Sequence, residues 1–356
     1  MSSRFNVSRS SQSSSAFFSP GTWLRARPLT RLWIWRRSFW AFSRPHTVVG
    51  TILSIVSLAL LAQILVPVSA VAEPWDVLSR LTLQGTVSWG LLLLAALVPS
   101  LCANVYIVGL NQLTDIEIDR INKPDLPLAS GAFSVPEGRW IVTLLGLAAL
   151  GLSALQGQLL FATVALSLAI GTVYSLPPIR LKRFPFWAAL CIFGVRGGVV
   201  NLGFFAHFRQ QLQPNPGLWL SEMPAHIPSE IWALTAFVIL FAFAIAIFKD
   251  IPDLEGDRQF QIRTLTVQLG GRFVFRLARW VLTLCYVSLI VFSLTDILAM
   301  QPAFVLLTHG GLLGLMWWKS QQVEFDQKQQ VAQFYQFIWR LFFLEYLLFP
   351  LACALS

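Results

Sequence analysis

The sequence predicts an all-α, multi-pass membrane bundle of about nine transmembrane helices. Three observations point there. Its 356 residues are 56% hydrophobic and only 12% charged, about half the charged share of a soluble domain, and mean hydropathy is +0.65. Apolar runs of about 20 residues, enough to cross roughly 30 Å of hydrocarbon, recur along the chain. Lys and Arg gather in alternate connections between those runs, as the positive-inside rule requires of a membrane protein.

Taken in order, residues 1–37 are rich in Ser and Arg and hold no acidic residue. That composition fits a flexible arm and resembles a transit peptide. Trp33, Trp35 and Trp40 with Arg36 and Arg37 read as an interfacial stretch, rings at headgroup level and cations towards anionic lipid. The membrane domain is expected over 38–356. Its spans fall near 47–70, 88–113, 139–156, 158–176, 185–207, 230–248, 274–295, 299–318 and 335–355. With the N-terminus on the cytoplasmic side, 23 of the 26 Lys and Arg lie on that side, Arg80 and Arg209 lie opposite, and Arg196 falls inside the fifth span. The net charge of +9 therefore follows the spans and is not a nucleic-acid signal. Cys102, Cys191, Cys285 and Cys353 are scattered through apolar runs without metal-ligand spacing and read as small buried hydrophobes.

Two acidic clusters stand at span ends on the same side. Asn111, Asp115 and Asp119 are spaced i, i+4 and i+8. If the second span continues as helix through them, they share one face over about 12 Å. Asp253 and Asp257 repeat the four-residue spacing, and Asp250 falls near their face. Pro252 also suits a cluster that opens a new helix. Glu117 and Glu255 fall off these faces and are expected in solvent. Ordinary loop charges are the plain alternative, but they need not recur at helical spacing in two matched places. Carboxylates at a membrane edge are functional by default. The oxygen set Asn111, Asp115, Asp119, Asp250, Asp253 and Asp257 suits Mg2+, which is usually shared with substrate phosphate.

Cations flank the acids. Arg120 and Lys123 follow the first cluster; Lys249 and Arg258 bracket the second. Tyr174, Arg180, Lys182 and Arg183 close the fourth span on the same side. Topology-setting charge is one reading of the last three; holding a diphosphate with Mg2+ is the other. Arg196 lies about eleven residues into its span, near mid-membrane. It must pair there, either with a neighbouring helix or with a substrate anion. Asn201 is close by on the same helix. His46 follows Arg44 and Pro45 at the start of the first span and reads as an interfacial anchor or an acceptor contact. His207, His226 and His309 lack ligand spacing and read as packing or surface groups.

On these motifs the chain resembles the UbiA-type superfamily of intramembrane prenyltransferases. Asn111, Asp115 and Asp119 match its first aspartate-rich motif, and Asp253 with Asp257 its second. Tyr174 with Lys182 and Arg183 is similar to its diphosphate-contacting stretch. The stretches 42–47, 104–113, 119–131, 244–260 and 334–348 are similar to the branch that phytylates homogentisate in tocopherol (vitamin E) biosynthesis. The resemblance covers about residues 38–356.

It implies nine helices around a central cavity open sideways to lipid. It implies two Mg2+ ions, with Asn111, Asp115, Asp119, Asp253 and Asp257 as metal–diphosphate ligands and Arg120, Lys182 and Arg183 as diphosphate contacts. The implied reaction joins the phytyl group of phytyl diphosphate to homogentisate with loss of CO2, giving 2-methyl-6-phytyl-1,4-benzoquinol. Arg196 is then the candidate partner of the homogentisate carboxylate. Geranylgeranyl or solanesyl transfer to the same acceptor, and chlorophyll synthase, stay open. A cation-coupled transporter is the reading from another class. It is disfavoured because transporter acids sit at the midplane, not at span ends. The implied setting is a photosynthetic membrane, bacterial or plastid, with the site on the cytoplasmic or stromal side.

Overall fold

The computed structural model describes residues 28–65, 83–212, 227–259, 264–325 and 327–356. Residues 1–27 of the arm, Arg80 and His226 lie outside these. Residues 28–37, assigned to the arm from composition, form most of helix α1 (Pro28–Phe42). Its Trp33 and Trp40 rings and its Leu32 side chain are exposed, as the interfacial reading expects.

Nine further helices or helix pairs have spanning length among the described residues. They are α2 (Pro45–Ile64), α3 (Leu83–Thr114), α5 (Val135–Ala154), α6 (Gln158–Ser175), the joined α7 (Pro185–Phe193) and α8 (Val200–Leu212), α9 (Ser229–Phe248), α12 (Gly271–Ser293), α13 (Pro302–Gln321) and α14 (Lys328–Ala354). Eight are also apolar enough to cross a membrane; α13 is the exception. It carries Thr308, His309 and Lys319 along its 20 residues, so its polarity, not its length, sets it apart. Short α4 (Ile116–Asn122), α10 (Leu254–Gln259) and α11 (Leu265–Leu269) complete the chain.

Local chemistry sets the ends. Pro45, Pro185 and Pro302 open helices, where the missing N–H is not needed. Ser134 and Glu137 form a reciprocal capping box on α5, with the Ser134 N–H donating to Glu137 Oε2 at 2.7 Å. The tight α5–α6 turn passes through Gly157 at φ +106°, a region open to glycine.

The spans pack in two layers. α2, α3, α6, α7–α8, α9 and α14 surround a cavity of about 1510 Å³, and no cavity-lining residue lies on α5, α12 or α13. Lipid-facing helices stay apolar outside as well as in. Only 22% of the α5 span is buried, with Trp140, Leu144 and Leu147 exposed, whereas 67% of the α9 span is buried. Phe237 and Phe241 of α9 meet Tyr286 of α12 edge-on at 5.6 and 6.2 Å, and Phe241 meets Phe342 of α14 at 5.6 Å.

The polar face of α13 is answered inside this packing. His309 Nε2 stands 3.2 Å from Glu345 Oε2 of α14, both side chains fully buried. A buried pair adds little over an apolar pair, but removing one partner strands the other. Glu345→Ala should therefore lower thermal stability by an amount on the order of 3–5 kcal/mol. The double variant Glu345→Leu/His309→Leu should recover most of it, read from thermal unfolding in detergent.

Candidate active site

The two acidic motifs are brought together at one end of the bundle by α4 and α10. The expected continuous helix through the first motif is broken. α3 ends at Thr114, Asp115 leaves helical geometry (φ −122°, ψ 19°), and α4 begins at Ile116. The break serves Asp115, which accepts from Arg180 Nη2 at 2.8 Å, Lys182 Nζ at 2.6 Å and Asn111 Nδ2 at 3.2 Å. The second motif behaves as Pro252 suggested. α9 ends at Phe248, a turn follows, and α10 opens at Leu254 with Asp257 N–H donating to Asp253 O at 3.1 Å.

α4 and α10 are clasped. The Gly256 N–H donates to Asn122 Oδ1 at 3.1 Å, and any Cβ at Gly256 would collide with that amide. Lys123 pairs with Asp253. Asn111, Asp115, Asp119, Asp250, Asp253 and Asp257 all line the cavity mouth, together with Tyr174, Lys182, Arg183 and Lys249.

Two expected cations are not there. Arg120 is 55% exposed and forks onto Glu117 at 2.7 and 2.8 Å, because the break at Asp115 turns it away from the cavity. Arg258 is exposed and lines no part of it. Glu117 and Glu255 are in solvent as expected; Glu255 holds Lys328 at 2.6 Å.

Other residues take those places. Arg180, read from sequence as topology-setting charge or a diphosphate contact, reaches Asp115 from a left-handed backbone (φ +42°). Such a conformation costs a non-glycine residue on the order of 1–2 kcal/mol. Arg44 is also left-handed (φ +51°), and its Nη2 donates to Asn111 Oδ1 at 3.4 Å. Gln112, buried, donates from Nε2 to Phe42 O at 2.8 Å and seats the α1–α2 turn that carries Arg44. A glutamine inside an apolar run was the available signal.

Burial sets the electrostatics of the mouth. It pushes the Asp119 carboxyl up to about 6, against the pull of Arg44 and Lys123 and with Asp115 and Asp253 adding to the rise. Burial pushes Asp257 up to about 7, helped by Asp250 and Asp253. Burial lowers Lys182 to about 8 against the pull of Asp115. Asp119 Oδ2 is buried without a hydrogen-bond partner. Among the described residues no three carboxylates gather closely enough to chelate an ion alone. An all-oxygen set that is spread out and partly orphaned fits Mg2+ in its usual mode, in which one or two carboxylates share the ion with substrate phosphate.

Below the mouth the walls turn apolar. Asn111 and Ser100 on α3 both line the cavity, and eleven residues of helix between them make it about 16 Å deep. At depth Arg196 sits in a π-helical segment, Gly194–Val199, that joins α7 to α8. Such segments are rare and concentrate at functional sites. Its guanidinium lies over Trp339 at 5.2 Å and Phe342 at 5.3 Å. No carboxylate among the described residues pairs with it. Asn201, buried, instead accepts from the Tyr346 hydroxyl at 2.9 Å. His46 lines the cavity, where an acceptor contact is open to it.

The chain is similar to known proteins along most of its length. It is 49% identical over 316 residues to homogentisate phytyltransferase of Synechocystis sp. (strain ATCC 27184 / PCC 6803 / Kazusa), covering 89% of this chain and 95% of that one. It is 41% identical over 317 residues to probable homogentisate phytyltransferase 1, chloroplastic, of Oryza sativa subsp. japonica, covering 88% and 72%. In three dimensions it is similar to a UbiA homolog from Archaeoglobus fulgidus bound to GPP and Mg2+, with a TM-score of 0.54 at 15% identity, covering 90% and 100%. That last likeness is one of fold. The UbiA prenyltransferase family model matches residues 78–341. That stretch runs from just before α3 into α14 and contains both acidic motifs, and the chain belongs to the UbiA prenyltransferase family.

Proposed function

We infer that this integral membrane protein transfers a phytyl group from phytyl diphosphate to homogentisate, with loss of CO2, to give 2-methyl-6-phytyl-1,4-benzoquinol. The observation that carries the reading is the cavity itself. Carboxylates and cations share its mouth, its walls below are mostly apolar with scattered Ser and Thr over about 16 Å, and one cation stands deep inside without an acidic partner among the described residues. A transporter needs no such division, and nothing in the fold or the relatives supports that alternative.

The residues divide the work by depth. Arg44, Arg180, Lys182, Arg183 and Lys249 are placed to grip a diphosphate by charge-assisted hydrogen bonds. Asn111, Asp115, Asp119, Asp250, Asp253 and Asp257 would hold Mg2+, which when bound supplies positive charge to the diphosphate. The prenyl C–O bond breaks with its electron pair on the leaving oxygen. An allylic cation remains at C1, below the mouth, where apolar walls exclude water and the Trp339 and Tyr335 rings line the site. The electron-rich ring of homogentisate forms the new C–C bond. Arg196 holds the acceptor carboxylate and fixes which ring carbon faces the cation. The hydrocarbon tail enters from lipid, and the mouth faces the cytoplasmic or stromal side, where the positive-inside rule places these connections.

Isolated membranes supplied with labelled phytyl diphosphate, homogentisate and Mg2+ should form the prenylated quinol. Parallel reactions with geranylgeranyl and solanesyl diphosphate measure donor preference. Absence of product with every donor would overturn the acceptor assignment. Chelation of Mg2+, Asp115→Ala and Asp253→Ala should each lower kcat by about 10²-fold or more. Arg120→Ala and Arg258→Ala, both outside the cavity, should stay within about twofold of wild type. Arg196→Gln should raise the homogentisate KM by about 10- to 100-fold, the equivalent of a lost hydrogen bond to a charged group, with the phytyl diphosphate KM unchanged. An unaltered homogentisate KM in that variant would remove Arg196 from the acceptor site.

A further inference from the structure

Aromatic substitution on homogentisate leaves a proton to be dealt with, and the residues assigned so far do not take it. The aspartates stand at the mouth, where they would hold Mg2+. Below them, His46 is the one imidazole among the described cavity-lining residues. It occupies the first turn of α2, and its ring meets the Trp339 indole edge-on at 4.9 Å and 63°. Arg196 lies over the same indole at 5.2 Å, so imidazole and guanidinium are no more than about 10 Å apart. Gly50, one turn beyond His46 on the same face, leaves room for the guanidinium. A Cβ there would stand 3.1 Å from Arg196 Nη1. The neighbouring polar groups satisfy one another, with Asn104 Nδ2 donating to Thr47 Oγ1 at 3.1 Å. The His46 ring nitrogens have no hydrogen-bond partner among the described residues. An acceptor held by its carboxylate on Arg196 therefore lies with its ring between the two, below the diphosphate and beside a free imidazole.

We propose that His46 is the catalytic base of the reaction, receiving the proton that the homogentisate ring loses and returning it to the acetate arm. This rests on the acceptor reading given above. The balance closes on this one residue. After attack, one ring carbon bears both the prenyl group and hydrogen. Its C–H electron pair returns to the ring and the proton passes to the imidazole nitrogen. The arm's bond to its carboxylate then breaks, CO2 leaves, and the electron pair stays on the arm carbon. That carbon takes the proton from the imidazolium, becomes methyl, and leaves His46 neutral. No proton is gained or lost overall, so the step needs no water in the cavity.

The test compares wild type, His46→Gln and His46→Ala in membranes at matched protein level, with phytyl diphosphate, Mg2+ and either ordinary or ring-deuterated homogentisate. A lost general base costs about 10²-fold or more in kcat, with both KM values within about threefold of wild type. Proton removal becomes limiting in His46→Gln, so its deuterium effect exceeds that of wild type. Added imidazole restores turnover to His46→Ala. A His46→Gln kcat within about threefold of wild type would overturn the proposal. So would a loss of activity with no larger isotope effect and no rescue by imidazole, the mark of a packing role. If wild type itself fails to turn over homogentisate, the acceptor reading falls and takes this proposal with it. Turnover by wild type with an unaffected variant sinks the base assignment alone.

Discussion

The structure depends on holding many charges at the edge of an apolar bundle without letting them neutralise one another completely. Asp115 meets Arg180 and Lys182, Asp253 meets Lys123, and Asp250 meets Lys249. These pairs join α3 to the loop after α6, and α4 to the turn after α9. Buried charge is tolerable only with partners. Here the pairs also assemble the mouth, because most partners come from different parts of the chain. The pairing is incomplete, since among the described residues the raised Asp119 and Asp257 carboxyls feel nearby cations without forming an ion pair. Unfinished pairing is what a site for a cation and a diphosphate requires before its ligands arrive.

The apolar part of the cavity serves the same end. An allylic cation survives only where water is excluded, and six spans of this bundle line that space while the other three contribute no residue to it. The clasp between Asn122 and Gly256 matters for a physical reason. The two motifs run into α4 and α10, helices of seven and six residues that carry Asp119 and Asp257, too short to be stable alone. Their placement comes from tertiary contact and from the charges facing them, not from helix propensity.

Much of this was legible in the sequence, and the limits have a single cause. Hydropathy placed most spans to within a few residues, because burial in lipid is a property of whole segments; the last helix begins seven residues earlier than expected, at Lys328, and Pro302–Gln321 has the length of a span without the hydropathy. The spacing of Asn111, Asp115, Asp119, Asp253 and Asp257 marked the mouth, because carboxylates are costly at a span end and rarely stand there in register without a ligand to hold. The cations were harder. Arg120 was expected at the diphosphate from its place after the first motif, but the helix breaks at Asp115 and the side chain pairs with Glu117 instead. Arg180 and Arg44 were underrated because their reach comes from left-handed backbone at φ +42° and +51°, which no periodicity reveals. Asn122 and Gln112 act through single hydrogen bonds across 134 and 70 residues of chain. Pairings at that separation belong to the tertiary fold, and composition does not encode them.

Arg196 shows what depth adds to charge. A cation near mid-membrane is costly, and its neighbours soften that cost only in part, since Trp339 and Phe342 offer ring faces and not a negative charge. If the residue served packing alone, a carboxylate such as the one on Glu345, already in the bundle with His309, would be the natural partner. Instead Glu345 is engaged elsewhere and Arg196 faces the cavity. The π-helical turn that carries it gives up regular hydrogen bonding locally. On the function proposed above, a substrate anion completes that arrangement. The donor's diphosphate would then be fixed at the membrane edge and the acceptor's carboxylate near the midplane. The bond-forming atoms meet between two anchored charges, in the driest part of the cavity.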